Sequence, residues 1–347
     1  MSSKDAGFRL TRSNMKWTNK ALIQRVLSNI PGGTRIYYLG QFCCGGFRHY
    51  SIDGKMQQGG ELLQAVDQSG VAVEGITAVE IGTGWAPVIP MLFWLCGQKV
   101  CHTYDRSLLL SPTLVVETAK QLLNHPFAAT PPVKLANPAA FEGRRRALRQ
   151  LIASGANGHE ILESCGINYH APCDAAQTGL ASESVDIVYS NTVLEHVPSD
   201  EIEGLFTESY RILRRDGCIL HLIDTSDHFA HSDPTISFIN FLQFSEQRFA
   251  KYNTRFLYQN RLRVSDWLTR LSTPQFRIVY WRPQIDQHAL KQLPSLHIDQ
   301  AFATLNADEI CTSSLCVLAG KNDFTVGPSA GRSGQRRGSA QPPTTSP

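Results

Sequence analysis

Ala78-Val79-Glu80-Ile81-Gly82-Thr83-Gly84-Trp85 decides how this chain is read. The stretch begins as a buried strand, ends on an acidic residue and breaks into a tight Gly-x-Gly turn. A second apolar run, Val88 to Cys96, leaves the turn with the character of a helix, and a third, Lys99 to Tyr104, stops at Asp105. Strand, glycine turn, helix and an acid closing a second strand predict a pocket for a nucleoside-containing cofactor. The glycines admit the ligand close to the backbone and the acid holds ribose hydroxyls.

Outward from that unit the pattern alternates. Leu108 to Leu123 reads as helix, Pro126 to Ala140 is broken, and Phe141 to Ala153 is a strongly basic helix. Short strands follow at Ile167–Tyr169 and Ser184–Tyr189. A helix over Ser199–Leu213 is expected to stop in a loop at Arg214-Arg215-Asp216-Gly217 before a strand at Cys218–Ile223. Phe276–Trp281 and Ser314–Ala319 are strands without a clear crossover helix between them. The rhythm predicts a doubly wound α/β fold: a mostly parallel seven-stranded sheet with an antiparallel edge, plus a helical N-terminal extension and an insert. Residues 1–70 are read as the extension, packing on the core, with Asn19–Leu27 and Glu61–Val66 helical and Ile36–Leu39 a short strand or a turn of helix. Residues 71–322 form the main domain, with the insert at about 108–165 and a candidate substrate lid at 228–270. The Gly-, Ser-, Pro- and Thr-rich tail, 323–347, is expected to be disordered.

Composition excludes several classes. Among 347 residues the net charge is only +3, and the basic runs Arg144-Arg145-Arg146 and Arg336-Arg337 are ordinary solvated clusters, so nucleic-acid binding is not expected. Nine cysteines, including the adjacent Cys43-Cys44, form no Cys-x-x-Cys pair, which argues for free thiols in a reducing compartment and against a zinc ribbon. The polar start of the chain does not read as a signal peptide, and the longest apolar run is about half a membrane span. A cytoplasmic location is the expectation.

Two details choose among cofactors. The dinucleotide fingerprint requires a third glycine where this chain has Pro87, and proline removes an amide that a diphosphate would use. Glu80, directly before the turn, is unfavourable beside a diphosphate but favourable beside an ammonium or sulfonium. Both point away from NAD or FAD and toward S-adenosylmethionine (SAM).

Several segments then resemble one family. Glu80-Ile81-Gly82-Thr83-Gly84 looks like motif I of the class I SAM-dependent methyltransferases. Cys173-Asp174-Ala175 and Ser184-Val185-Asp186-Ile187-Val188-Tyr189-Ser190-Asn191 look like the third and fourth motifs. Val193-Leu194-Glu195-His196-Val197 is similar to the segment after the fourth strand. Leu213-Arg214-Arg215-Asp216-Gly217-Cys218 resembles a loop usually written Leu-Lys-Pro-Gly-Gly. The resemblance implies SAM as cofactor, with Gly82 and Gly84 against its methionine part and Glu80 near its amino group. It places Asp105 on the ribose, Asp174 and Ala175 at the adenine, and Asn191 facing cofactor or substrate. Asp174 also reads as a helix N-cap, and Asp186 as structural.

Methyl transfer needs positioning, and a base only where the acceptor must lose a proton. His228, in Asp224-Thr225-Ser226-Asp227-His228, and His196 are the candidate bases, set against readings of both as loop or packing residues; a metal site has no fixing motif. The basic helix within the insert would favour an acidic substrate if it faced the site. The aromatic- and amide-rich segments Asn240–Ser245 and Tyr258–Arg263 suit a lid or simply core. The expected activity is transfer of a methyl group to a small-molecule or glycan-type acceptor, on oxygen. The alternatives are a methyltransferase-like domain that binds without catalysis, and a nicotinamide-dependent oxidoreductase. Sequence does not decide the oligomeric state.

Overall fold

The strands are β1 Thr77–Ile81, β2 Val100–Tyr104, β3 Ile167–His170, β4 Val185–Asn191, β5 Leu213–Asp224, β6 Phe276–Ile285 and β7 Thr312–Lys321. They form one seven-stranded sheet in the order β3-β2-β1-β4-β5-β7-β6, in which the five neighbours from the β3 edge to β5 run parallel. The computed structural model describes residues 16–33, 35–37, 52–129, 131, 133–273, 275–321 and 323–325. The expectations for Tyr38-Leu39, Cys43-Cys44, Arg336-Arg337 and the tail beyond 325 lie outside the described residues.

Side-chain alternation builds two cores from one sheet. Ala78, Ile187, Tyr189 and Leu220 face one side, where the helices Asp53–Gln68, Val88–Leu95 and Pro112–Asn124 pack. Val79, Ile81, Val188 and Ile219 face the other, against Ile202–Ile212 and Val264–Leu271. Every side chain of the helix Val88–Leu95 is buried. β7 pairs antiparallel with β5, so the antiparallel strand lies one place in from the edge, with β6 outside it.

Three local readings differ from the structure. Arg214 to Gly217 is not a loop: β5 already begins at Leu213, which pairs with Val185 before the register shifts and Ile187 meets Cys218. Exposed Arg214, bonded to Asp186 at 2.5 Å, holds that irregular start beside β4. The insert contains a further helix, Gly158–Ser164, closed by a capping box in which Asn157 accepts from the Glu160 amide and Glu160 accepts from that of Asn157. The basic helix starts earlier, at Pro138, and its Arg144 donates to the carbonyls of Trp94 (2.5 Å) and Gly97 (3.2 Å) at the end of the helix Val88–Leu95. A guanidinium at a helix C-terminus offsets the negative pole there. Arg144 is therefore engaged in scaffolding, which removes its support for an acidic substrate.

The chain divides into two units. Among the described residues, those in 52–225, 262–284 and 312–325 belong with the sheet; those in 16–37, 226–261 and 285–311 form the second. The segment 1–70 is thus shared between them, and so is 228–270, whose helix Val264–Leu271 belongs with the sheet. The second unit has its own core of Ile239, Phe241, Leu242, Phe249 and Phe302. Its helix Trp17–Ser28 is anchored by Trp17, whose ring lies 4.9 Å from Tyr252 and 5.6 Å from Phe229 and whose amide donates to Asp233. Buried Arg261 donates to the Phe241 carbonyl and pairs with Glu246 at 2.7 Å.

Candidate functional site at the carboxyl ends of β1, β2 and β4

Parallel register brings the ends of three strands level. Ile81 lies opposite both Tyr104 and Ser190, so Glu80, Asp105 and Asn191 reach the same edge of the sheet. The strand order reverses between β1 and β4, and crevices at such points are where open α/β sheets take ligands.

The glycine turn is fixed from both sides. Gly82 and Gly84 both adopt positive φ, 77° and 69°, where L side chains are strained. A Cβ on Gly82 would lie 2.6 Å from Cγ2 of Val193, whereas one on Gly84 would meet nothing within 4 Å. The Gly82 amide donates to the Tyr104 carbonyl at 2.9 Å, and the Gly84 amide to the Asp105 carboxylate at 3.1 Å. The turn is thereby tied to the end of β2.

Glu80 is only 2% exposed and accepts from the Thr83 hydroxyl at 2.6 Å. Burial raises its carboxyl from the usual 4.5 to about 7, with a smaller upward push from Asp105. Burial likewise raises Asp105 to about 6, opposed by the Gly84 amide. At the end of β4, the buried Asn191 amide donates to Gln58 at 3.0 Å, while its Oδ1 has no hydrogen-bond partner.

Asp174 and Ala175 stand just after β3, where the Cys173 amide donates to the Asp105 carbonyl at 2.8 Å. Asp174 is exposed and accepts from the Ala176 amide, an Asx-type turn with no helix behind it, so it is not a helix N-cap. It borders an open groove with Arg106, Asp200 and Glu201. Glu80, Gly82, Gly84, Asp105 and Asn191 thus come together, with Asp174 and Ala175 alongside.

His196 is exposed, on the 3-10 turn Leu194–His196. His228 belongs to the second unit, where its amide donates to Gln259.

Four further residues join the site. Lys55, from the helix Asp53–Gln68, donates to the Thr192 hydroxyl at 3.1 Å; Thr192 itself follows β4 with a φ of 53°. Burial lowers the Lys55 ammonium from its usual value, against the charges of Glu195, Glu80 and Asp224. Glu195 is 1% exposed, and neither carboxyl oxygen makes a hydrogen bond of ordinary geometry. Burial first, and then the Asp224 charge, hold it well above the usual carboxylate range. Gln58 completes the set through Asn191. No motif marks Lys55 or Gln58, which lie on a helix before β1; Glu195 stood within a segment already noted.

The donor set suits a cationic amino acid joined to a nucleoside. One buried acid faces the turn, a second ends β2, and Asn191 keeps a buried acceptor unused. Positive-φ glycine with open space at Gly84 leaves room for close approach.

Residues 154–221 match the family model described as a methyltransferase domain, a span that runs from the end of the basic helix through β3 and β4 into β5. No curated protein matches the chain. Among solved structures it is similar to a geranyl diphosphate C-methyltransferase from Streptomyces coelicolor A3(2), at 12% identity over 77% of this chain and 80% of that one, TM-score 0.40. It is similar also to magnesium protoporphyrin IX methyltransferase from Synechocystis PCC 6803, at 11% over 78% and 84%, TM-score 0.40. A SAM-dependent methyltransferase from Mesorhizobium loti aligns at 14% over 72% and 93%, TM-score 0.36. The residues that match the methyltransferase-domain model thus lie in β3, β4 and β5 of a sheet ordered β3-β2-β1-β4-β5-β7-β6, beside the ends of β1 and β2.

Proposed function

We propose that the sheet unit binds SAM at the ends of β1, β2 and β4 and directs its methyl group to a small-molecule or glycan-type acceptor, on oxygen. The observation that carries this reading is the buried Glu80 carboxyl beside a positive-φ Gly-x-Gly turn that Asp105 holds in place. When bound, SAM supplies an electrophilic methyl group on a sulfonium.

The chain's own residues do the rest. Glu80 ionises against the cationic amino acid portion. Asp105 accepts from the ribose hydroxyls while keeping the Gly84 amide, since a carboxylate has about four acceptor positions. Asp174 and Ala175 serve the adenine, and Asn191 Oδ1 accepts from ligand or acceptor. Burial of Glu80, Glu195 and Asn191 excludes water at the strand ends, which strengthens each charge interaction there. His196 and His228 are the proposed proton acceptors for the hydroxyl.

Calorimetric titration with SAM, S-adenosylhomocysteine and NAD tests the reading. Both adenosyl compounds are expected to bind and NAD is not. Asp105→Ala is expected to weaken both by about tenfold or more, the loss of a charge-assisted hydrogen bond worth about 1.5–3 kcal/mol, without unfolding the chain. Absence of binding by either adenosyl compound overturns the proposal, and wild-type affinity in Asp105→Ala removes the ribose assignment.

A further inference from the structure

The helix Trp17–Ser28 is built inside out. Its buried positions are the small Ala21 and the polar Gln24, which donates to the Tyr37 hydroxyl at 3.0 Å. Beside the exposed Thr18, Asn19 and Arg25, its outward positions carry large apolar side chains: Leu22 is 61% exposed, Ile23 47% and Val26 53%, and the turn beyond adds Ile30 and Ile36. Single exposed apolar side chains are ordinary. Here five of the six large apolar side chains exposed among the described residues fall within positions 22–36, the sixth being Leu108. A patch so concentrated marks a surface with an occupant.

Charge identifies the occupant. Residues 6–52 contain no aspartate or glutamate, and carry Arg9, Arg12, Lys16, Lys20, Arg25, Arg35 and Arg48. At the end of the helix, within the same unit, a cleft of about 510 Å³ is lined by Arg25, Ser28, Asn29, Lys251, Asn253 and Arg255, with no acid in its wall. Arg255 also reaches the Leu27 carbonyl at 3.5 Å. An apolar face alone would suit a protein partner, and a basic cleft alone a phosphate. Side by side on one short helix they match a surface that is apolar beneath and anionic on top.

We propose that this helix seats the protein on an anionic phospholipid surface. Leu22, Ile23, Val26 and Ile30 enter the boundary between headgroups and acyl chains, and Arg25, Lys251 and Arg255 take headgroup phosphates. Such helices lie in the interface plane and bind reversibly, by apolar burial together with attraction to anionic lipid. Among the described residues no helix is long and apolar enough to cross a membrane, so the association is peripheral. A nucleic acid would leave the apolar face unused.

Co-sedimentation of the full chain with vesicles tests the proposal. Binding is expected to phosphatidylcholine–phosphatidylserine vesicles but not to phosphatidylcholine alone, and to fall with added salt as the charges are screened. The double variant Leu22→Ser/Val26→Ser and the variant Arg25→Glu should each weaken binding by about tenfold or more. Both variants should keep wild-type melting and SAM affinity. Equal binding to both vesicle types, no binding, or variants that bind like the wild type would overturn the proposal. So would a concentration-dependent dimer that Leu22→Ser/Val26→Ser dissociates while vesicles remain unbound, because the face would then belong to a second copy of the chain.

Discussion

Replacing Glu80 by glutamine should strengthen the fold and weaken the site at once. The carboxyl lies 2% exposed, and burial lifts it from 4.5 to about 7. A group whose folded pKa is raised above its unfolded value holds its proton more tightly in the fold. Stability therefore falls as pH rises from 4.5 and levels off above 7. The shift corresponds to about 3 kcal/mol by pH 8, and to less than about 1 kcal/mol at pH 5, at 1.36 kcal/mol per pKa unit. Glutamine keeps an acceptor for the Thr83 hydroxyl and removes the ionisation. Urea unfolding of Glu80→Gln should therefore show a gain of about 3 kcal/mol at pH 8 that nearly vanishes at pH 5. Binding should move the other way. If a bound ammonium or sulfonium requires the ionised acid, wild-type SAM affinity should drop about tenfold between pH 8 and pH 6, with about a further twofold from Asp105 as it approaches its value of about 6. Glu80→Gln should bind weakly and keep only the smaller slope. A gain in stability that is the same at pH 5 and pH 8 would refute the burial argument. Wild-type affinity that is flat across this range would refute the assignment of Glu80 to a cation.

Other substitutions separate geometry from chemistry. Gly82→Ala should lose about 2 kcal/mol or more of stability by thermal melting and also SAM affinity, because positive φ and the Val193 contact act together; Gly84→Ala, with open space, should lose about 1 kcal/mol. Equal losses at the two positions would contradict the turn geometry. His228→Ala and His196→Ala should each keep SAM affinity, and the variant lacking the true proton acceptor should lose about 100-fold or more in labelled methyl transfer. Unchanged turnover in either one removes that histidine.

What the sequence revealed follows from where the information was stored. Glu80, Gly82, Gly84 and Asp105 were legible because strand, turn and acid are neighbours in the chain and each residue type is dictated by backbone or charge. The parallel centre was legible because strands buried on both faces read as continuous apolar runs. Arg214 to Gly217 misled because an irregular strand start has the polar, glycine-containing composition of a loop, and only the pairing of Leu213 with Val185 reveals it. The helix Gly158–Ser164 did carry its signal, the Asn157/Glu160 capping box, though on only seven residues. Lys55 and Gln58 carried none. They enter the site through the packing of Asp53–Gln68 on the sheet, a tertiary event with no local trace. Glu195 was hidden differently, because a carboxyl on a short turn ordinarily belongs in water.

The helix Val88–Leu95, buried on every side, has a consequence for how the protein is made. As the ribosome releases it, eight consecutive residues from Val88 to Leu95 have no water-compatible face. One cover, the helix Asp53–Gln68, has already been synthesised; the others, Pro112–Asn124 and Arg144 at its carbonyl end, are still to come. Until those residues, and then Tyr189 of β4, which stacks on Phe93, have emerged, this segment is a binding site for chaperones, and for other copies of itself, at a synthesis rate of roughly 5–20 residues per second. The insert between β2 and β3 is thus also a shield that shortens this exposure.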